Sequence, residues 1–465
     1  MTRHVTRGIL ALAGLAACAP EGEQAGTPAP AAFTPAQVVS QATENGATPM
    51  FLATPAGDRV VAWVSAPGGG SDGVASFAVT PAGAAGPRPV VQVRDPLGPI
   101  EPHGEAPPKL ATDAQGRLYF LYAVGKEVPG QRFPVSALRF IRSEDGGATW
   151  SAPVTVNDPG RFGAFGAHNF HALTAGPDGT LFATWLHAPM GKSGVALSRS
   201  TDQGRTWEPM RMIFADSTCP CCRTAVAVGD SGSLWVAWRR IFEGNVRDVV
   251  VMRSRDGGTT WDAPVRPHAD EWVYPGCPHA GPSLALDAEG TLHLAWWTGK
   301  EGAAGVYHAR SADGGATWAT TPLATGARST PAHVQLATAP GGAVVVAWDD
   351  GLSALPRVLL RRSLDGGVTF ASAEVLSDSG VAASFPVLAV AGDSLAVAWS
   401  QVTGAEHRAA LAQRADMRDP SAVMRLPRVG QSEILVRTGA LRPASSPSLA
   451  GALPSRANAP DHPDP

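Results

Sequence analysis

The sequence predicts an all-β protein folded as a seven-bladed β-propeller. One octapeptide returns five times, and strands closing on an aromatic residue return seven times at the spacing of one propeller blade. Gly 52 and Pro 41 make up about 20% of the 465 residues, enough punctuation for many short elements and few long ones.

Residues 1–18 read as an export signal. Arg3, His4 and Arg7 precede an apolar stretch, Gly8 to Ala17, that is too short to span a bilayer. It runs into Leu15-Ala16-Ala17-Cys18, which resembles the bacterial lipoprotein signal. That resemblance implies cleavage of residues 1–17 and lipidation of Cys18. Residues 18–32 are Pro/Ala/Gly-rich and read as a flexible tether. Ala19, rather than an Asp, follows the Cys, so the implied address is the outer membrane or cell surface. No apolar run of about 20 residues is present to form an ordinary transmembrane helix. Residues 441–465 are Pro/Ser/Ala-rich without periodicity and are expected to be a disordered tail.

Between these ends, residues 33–440 have one texture. The strand-closing aromatics are Trp63, Tyr122, Trp185, Trp238, Trp296, Trp348 and Trp399, separated by 59, 63, 53, 58, 52 and 51 residues. Each interval accommodates four short strands and their loops. The segment Phe33-Thr-Pro-Ala-Gln-Val-Val-Ser40 is similar to the strands that follow the octapeptides. It is expected to complete the last blade and close the ring, which removes exposed strand edges. Net charge is −3, with 37 basic and 40 acidic residues, so no basic surplus exists for a nucleic-acid backbone.

The octapeptides are Ser143 to Trp150, Ser200 to Trp207, Ser254 to Trp261, Ser311 to Trp318 and Ser363 to Phe370, each preceded by an Arg. In each, the Asp (Asp145, Asp202, Asp256, Asp313 and Asp365) and its Ser or Thr neighbours can satisfy backbone donors in a hairpin turn. Gly supplies the positive φ, and the ring packs between sheets. These octapeptides resemble the Asp box, or bacterial neuraminidase repeat, of the sialidase superfamily. The resemblance implies a propeller and a glycan-directed activity, usually on six blades. Six blades are therefore the alternative to the seven counted here. It also implies three carboxylate-binding arginines, a Tyr–Glu nucleophile pair and an Asp acid/base. No Arg-Ile-Pro motif occurs; Arg88 and Arg94 are the nearest candidates. Of four tyrosines, Tyr119, Tyr122 and Tyr307 sit inside strand patterns, and only Tyr274 falls in a loop, near Asp270 and Glu271.

The remaining chemistry lies in sulfur and imidazole. Cys219, Cys221 and Cys222 occur in one run, and Cys277 precedes Pro278 and His279. Counting back from the strand-closing aromatics, His168, Cys221 and His279 each fall 17 residues earlier, as does Glu105. Cys219, Cys277 and His103 fall 19 earlier. This register is the loop entering the innermost strand, so adjacent blades bring these groups to one height at the channel mouth. His171, His333 and Cys222 fall in the same or equivalent loops. Thiolate and imidazole together suit copper(I) or zinc(II). The expected metal set is Cys219, Cys221, Cys222, Cys277, His279 and His168. An exported chain with four such cysteines also suits two disulfides, Cys219–Cys277 and Cys221–Cys222, and, as a third alternative, a reactive thiol. Three functions stay open at this point. They are a membrane-tethered binding propeller with a metal at its mouth, a sialidase-like glycoside hydrolase, and a disulfide-stapled interaction module for a glycan or protein ligand.

Overall fold

In the computed structural model, residues 33–442 are described, except 42–43, 67–71, 132–133, 161, 189–192, 230, 327–332, 351–354 and 416–431. The expected signal peptide, Cys18 and its tether, and residues 443–465 of the expected tail lie outside the described residues.

Seven sheets form one propeller. Blade one comprises Ala47–Ala53, Arg59–Ser65, Val74–Thr80 and Val91–Val93. Blade two follows with Lys109–Thr112, Leu118–Lys126, Val135–Ser143 and Val154–Thr155. Blade three is built from His168–Ala175, Leu181–His187, Gly194–Ser200 and Arg211–Phe214. Blade four has three strands, Ala225–Val228, Leu234–Phe242 and Val246–Ser254. Two isolated bridges, Val251 to Val265 and Val246 to Val273, stand where its fourth strand would run. Blade five contains Ser283–Leu286, Leu292–Thr298, Gly305–Ser311 and Ala319–Thr325. Blade six contains Gln335–Ala339, Ala343–Asp350, Arg357–Ser363 and Glu374–Val375.

Blade seven joins the two ends of the ring. Val381–Ala391, Ser394–Thr403 and Glu433–Ala440 are completed by Gln37–Val38, with Gln37 opposite Val436 and Val38 opposite Leu435. The expected closure is thus present, and the count is seven. A helix, Gly404–Ala415, interrupts this blade between its second and third strands and was not legible in the repeat. It starts at a reciprocal cap: Thr403 Oγ1 accepts from the Glu406 N–H, and the Glu406 carboxylate accepts from the Thr403 N–H.

The second strand of each blade lies between neighbouring sheets, so both of its faces are covered. That explains why Val60-Val-Ala-Trp63 and Trp235-Val-Ala-Trp238 are continuous apolar runs instead of alternating ones. All seven strand-closing aromatics are buried. First strands neighbour one another in a closed ring around the channel.

The octapeptide turns are nearly identical. In the first, Ser143 Oγ accepts from the Gly147 N–H at 2.8 Å, and Asp145 Oδ1 accepts from the Thr149 N–H at 2.9 Å. The Thr149 hydroxyl donates to Asp145 Oδ2 at 2.6 Å. The rings then cross to the preceding blade: Trp150 stacks on Phe77 at 4.1 Å, and Trp207 meets Phe140 edge-on at 5.2 Å. These turns face the end of the channel opposite the mouth. That end opens into a cavity of about 1040 Å³ lined by turn residues such as Gly57, Asp113, Gly176 and Gly392.

Candidate functional site

At the mouth, the loop from blade three to blade four carries Cys219, Cys221 and Cys222, all buried. Their three sulfurs lie within 4.8 Å of one another. Cys219 Sγ is 3.7 Å from Cys221 Sγ and 3.5 Å from Cys222 Sγ, and no disulfide joins the described cysteines. Folding back of the short loop explains the convergence: the Cys219 N–H bonds to Arg239 O at 2.8 Å, and the Thr224 N–H to Phe170 O at 3.0 Å.

Hydrogen bonds from the Cys221 and Cys222 thiols hold the Cys219 thiol far below its usual pKa, and Arg247 and Arg239 add to the effect. Arg247 also donates to Cys219 Sγ at 3.1 Å. Cys221, as donor to Cys219, is pushed far up, and burial raises Cys222. Cys277 is exposed and lies beside Cys221, whose hydrogen bond lowers it to about 7.

The two histidines of the expected set stand elsewhere. No histidine among the described residues lies within 4.8 Å of all three clustered sulfurs. His168 accepts a hydrogen bond from Trp185 Nε1 at 3.1 Å and stacks on His187 at 4.8 Å. It occupies the place that Asp95 takes under Tyr122 and Asp270 under Trp296, as acceptor for the strand-closing aromatic. Equal register therefore set its height but not its direction. His279 sits at φ 49° with Nδ1 3.1 Å from the Cys277 carbonyl, and its ring faces His103 and Phe170.

Beside the sulfurs lies a second group of side chains. Glu105 is buried, pairs with Arg223, and accepts from the backbone N–H groups of Arg223 and Gly281. Arg223 spends another N–H on Val334 O at 2.8 Å. His333 contacts Asp349 through Nδ1 at 2.7 Å; burial pulls its pKa down, but Asp349 outweighs this and the net shift is upward. Burial lowers His103 to about 4 and His171 to about 3. Lys109 opens the innermost strand of blade two. Burial first, then the neighbouring Arg223, lowers it to about 7.

Phe170 and Phe385 flank this group at φ 59°, each at a register break in its innermost strand. Phe385 lies 4.2 Å from the His333 ring and Phe170 5.5 Å from that of His103. Such bulges re-aim side chains, here around the imidazoles. Sequence reasoning placed Glu105, His103, His171 and His333 in these loops but missed Lys109, Asp349, Arg247 and both phenylalanines. The available signal was a lysine opening an apolar strand after Pro107 and Pro108. Arg88 and Arg94, the candidate carboxylate arginines, are exposed. Tyr119, Tyr122 and Tyr307 are buried, and Tyr274 stacks on Trp272.

The fold and the repeated turns define an Asp-box β-propeller. Residues 99–271 match the family described as BNR repeat-like domain. No curated protein sequence matches it significantly. A protein of unknown function from Dyadobacter fermentans is similar at a TM-score of 0.51 and 15% identity, over 88% of this chain and 99% of that one. An ulvan lyase of polysaccharide lyase family PL25, bound to -[GlcA(1-4)Rha3S]-, is similar at 0.52 and 15%, over 78% and 93%. The intramolecular trans-sialidase from Ruminococcus gnavus reaches 0.44 and 13%, over 86% and 96%, a score too low to build on. At these identities the likeness establishes the fold.

Proposed function

We propose that this protein is an exported, lipid-anchored propeller that holds one soft metal ion, copper(I) or zinc(II), in the cysteine pocket at its mouth. The observation that carries the reading is the convergence of three buried sulfurs within 4.8 Å. Tetrahedral zinc with Zn–S bonds of about 2.3 Å requires sulfurs roughly 3.8 Å apart, close to the 3.5 and 3.7 Å separations present. Cys277 lies outside that triad but beside Cys221, and would have to move in from the exposed side to serve as a fourth donor, while Arg247 and Arg239 offset the charge of the thiolates. His279 and His168 are left out of the set.

Metal analysis of protein purified without chelator, paired with a thiol count, tests this. One metal per chain is expected, with thiols that become reactive on chelation. Fully oxidised cysteines and no stoichiometric metal in protein from its native compartment would replace it with the disulfide-stapled module. Lipid anchoring rests on Leu15-Ala-Ala-Cys18, and Cys18→Ser should release the protein from membranes or block its processing. Detergent partitioning unchanged by that substitution would remove the anchor from the reading.

A second reading, a glycan ligand at the mouth, is supported by the ulvan lyase of similar fold and its bound saccharide. Sialidase action has less support, because the nearest candidate arginines are exposed. A fluorogenic sialoside decides it, with no turnover expected.

A further inference from the structure

The second group of side chains at the mouth has more donors than acceptors. Both carboxylates are spent. Glu105 serves Arg223 and two backbone N–H groups, while Asp349 serves the His333 ring and the N–H groups of His333 and Phe385. His103 Nδ1 accepts from the N–H groups of Glu105 and Ala106, each at 3.2 Å, so its proton is on Nε2, free to donate. His333 is held by Asp349 through Nδ1, which leaves its Nε2 side open.

Lys109 is buried, and its ammonium makes no hydrogen bond to a described residue. His171 is fully buried, and neither ring nitrogen has a hydrogen-bond partner of good geometry, although the Leu121 backbone lies near. These groups feel one another's charge: His103 with His279, Glu105 and His333; His171 with Lys109 and His103; Lys109 with Arg223 and Glu105. A buried, unpaired imidazole is costly unless an acceptor arrives, and the Lys109 amine beside it keeps only the solvent contact of a residue 8% exposed.

We infer that the mouth is a binding site for an oxyanion, a carboxylate or a sulfate group on a small molecule or chain end, received by Lys109, His103, His171 and His333. An oxyanion supplies several acceptor lone pairs and one negative charge, the two quantities the site lacks. Phe170 and Phe385 wall the site with apolar surface, which strengthens each polar contact by excluding water. The sulfur pocket is a separate cluster, so this inference stands apart from the metal reading.

Calorimetric titration of the full chain with glucuronate and, separately, with inorganic sulfate at constant ionic strength tests it. Lys109 is cationic below about 7 and neutral above, facing Arg223, Glu105 and His171. His333 faces Asp349, Glu105, Arg223 and His103 and also gains charge as the pH falls. Binding should therefore tighten about tenfold from pH 8 to pH 6. Lys109→Met should weaken it about tenfold at pH 6 and flatten the pH dependence, and His333→Asn, a second variant should the first not fold, should also weaken it. Chelation of metal should change neither result. Binding of glucuronate alone assigns a carboxylate ligand, of sulfate alone a sulfate ester, and of both a site that selects charge. Absence of binding by both at pH 6, or wild-type binding by folded Lys109→Met and His333→Asn, overturns the inference.

Discussion

Cys222 and Cys277 differ in the one property that ought to separate their roles, because Cys222 is fully buried and Cys277 is exposed. On the proposed metal reading, Cys222→Ser should abolish metal binding, since a hydroxyl is a poor soft-metal ligand and burial prevents water from replacing the sulfur. Cys277→Ser should keep most of the metal but let it exchange faster with an external chelator, measured by competition against a chromogenic dye. Equal loss in both variants would show that the exposed thiol binds the metal as firmly as the buried ones do. The sulfurs themselves were legible, because they are contiguous in sequence and a short loop can hardly keep them apart. His168 and His279 were not, because register sets height along the channel while a single φ or a neighbouring Trp N–H decides where an imidazole points.

The Asp boxes are expected to act as stabilising elements, and their chemistry gives variants of opposite sign. Gly258 sits at φ 87° against Leu197 and Leu234, so Gly258→Val should cost about 1–3 kcal/mol. In the second box Gln203 takes the left-handed position, at φ 63°, that Gly146 fills in the first. Gln203→Gly should raise the melting temperature by relieving about 1 kcal/mol of backbone strain, less the added entropy of the unfolded chain.

The box carboxylates contribute to the response to acid. Thr149 hydrogen bonds lower Asp145 to about 2, and Thr260 does the same for Asp256. A depressed carboxylate contributes fully above its unfolded pKa and is lost as pH falls through the folded one. Burial holds His103 at about 4 and His171 at about 3, so stability should already decline as pH falls below about 6.5, where the unfolded chain takes up their protons. The boxes should add a further drop in melting temperature between pH 4 and 2; a Thr149→Val variant with an unchanged profile below pH 4 would assign that drop to other groups. The boxes were fully legible because every bond in them is local. The fourth strand of blade four was over-counted, since Trp261 continues into a loop that touches the sheet at separate points, Asp262, Val265 and Val273, without forming a ladder. The helix Gly404–Ala415 was missed because it interrupts a repeat instead of belonging to one.

At the scale of the whole molecule, seven blades could be counted from aromatic spacing because each blade buries one such residue in the same place. Closure was readable from the likeness of Phe33 to Ser40 to the other outer strands, and that strand now completes blade seven. Deleting residues 33–40 should cost about 2–4 kcal/mol of apolar burial and expose the edge of Glu433–Ala440. Sedimentation should show self-association through that open edge, together with a lower melting temperature. A deleted form that stays monomeric with unchanged melting would mean the last blade stands on three strands.

The same seam governs how the ring would respond to being pulled. Phe33 pairs with Gly439, so the chain enters and leaves blade seven side by side, on antiparallel strands. Tension applied across these two points peels the pair open from that end. The Thr34-to-Thr438 bond takes the load first, and the Val39-to-Ile434 bond takes it only after the others have gone. Bonds loaded in turn break singly, whereas bonds loaded in shear resist as a group. A ring closed in this way has a designated breaking point under traction, and the six remaining blades are shielded until it parts.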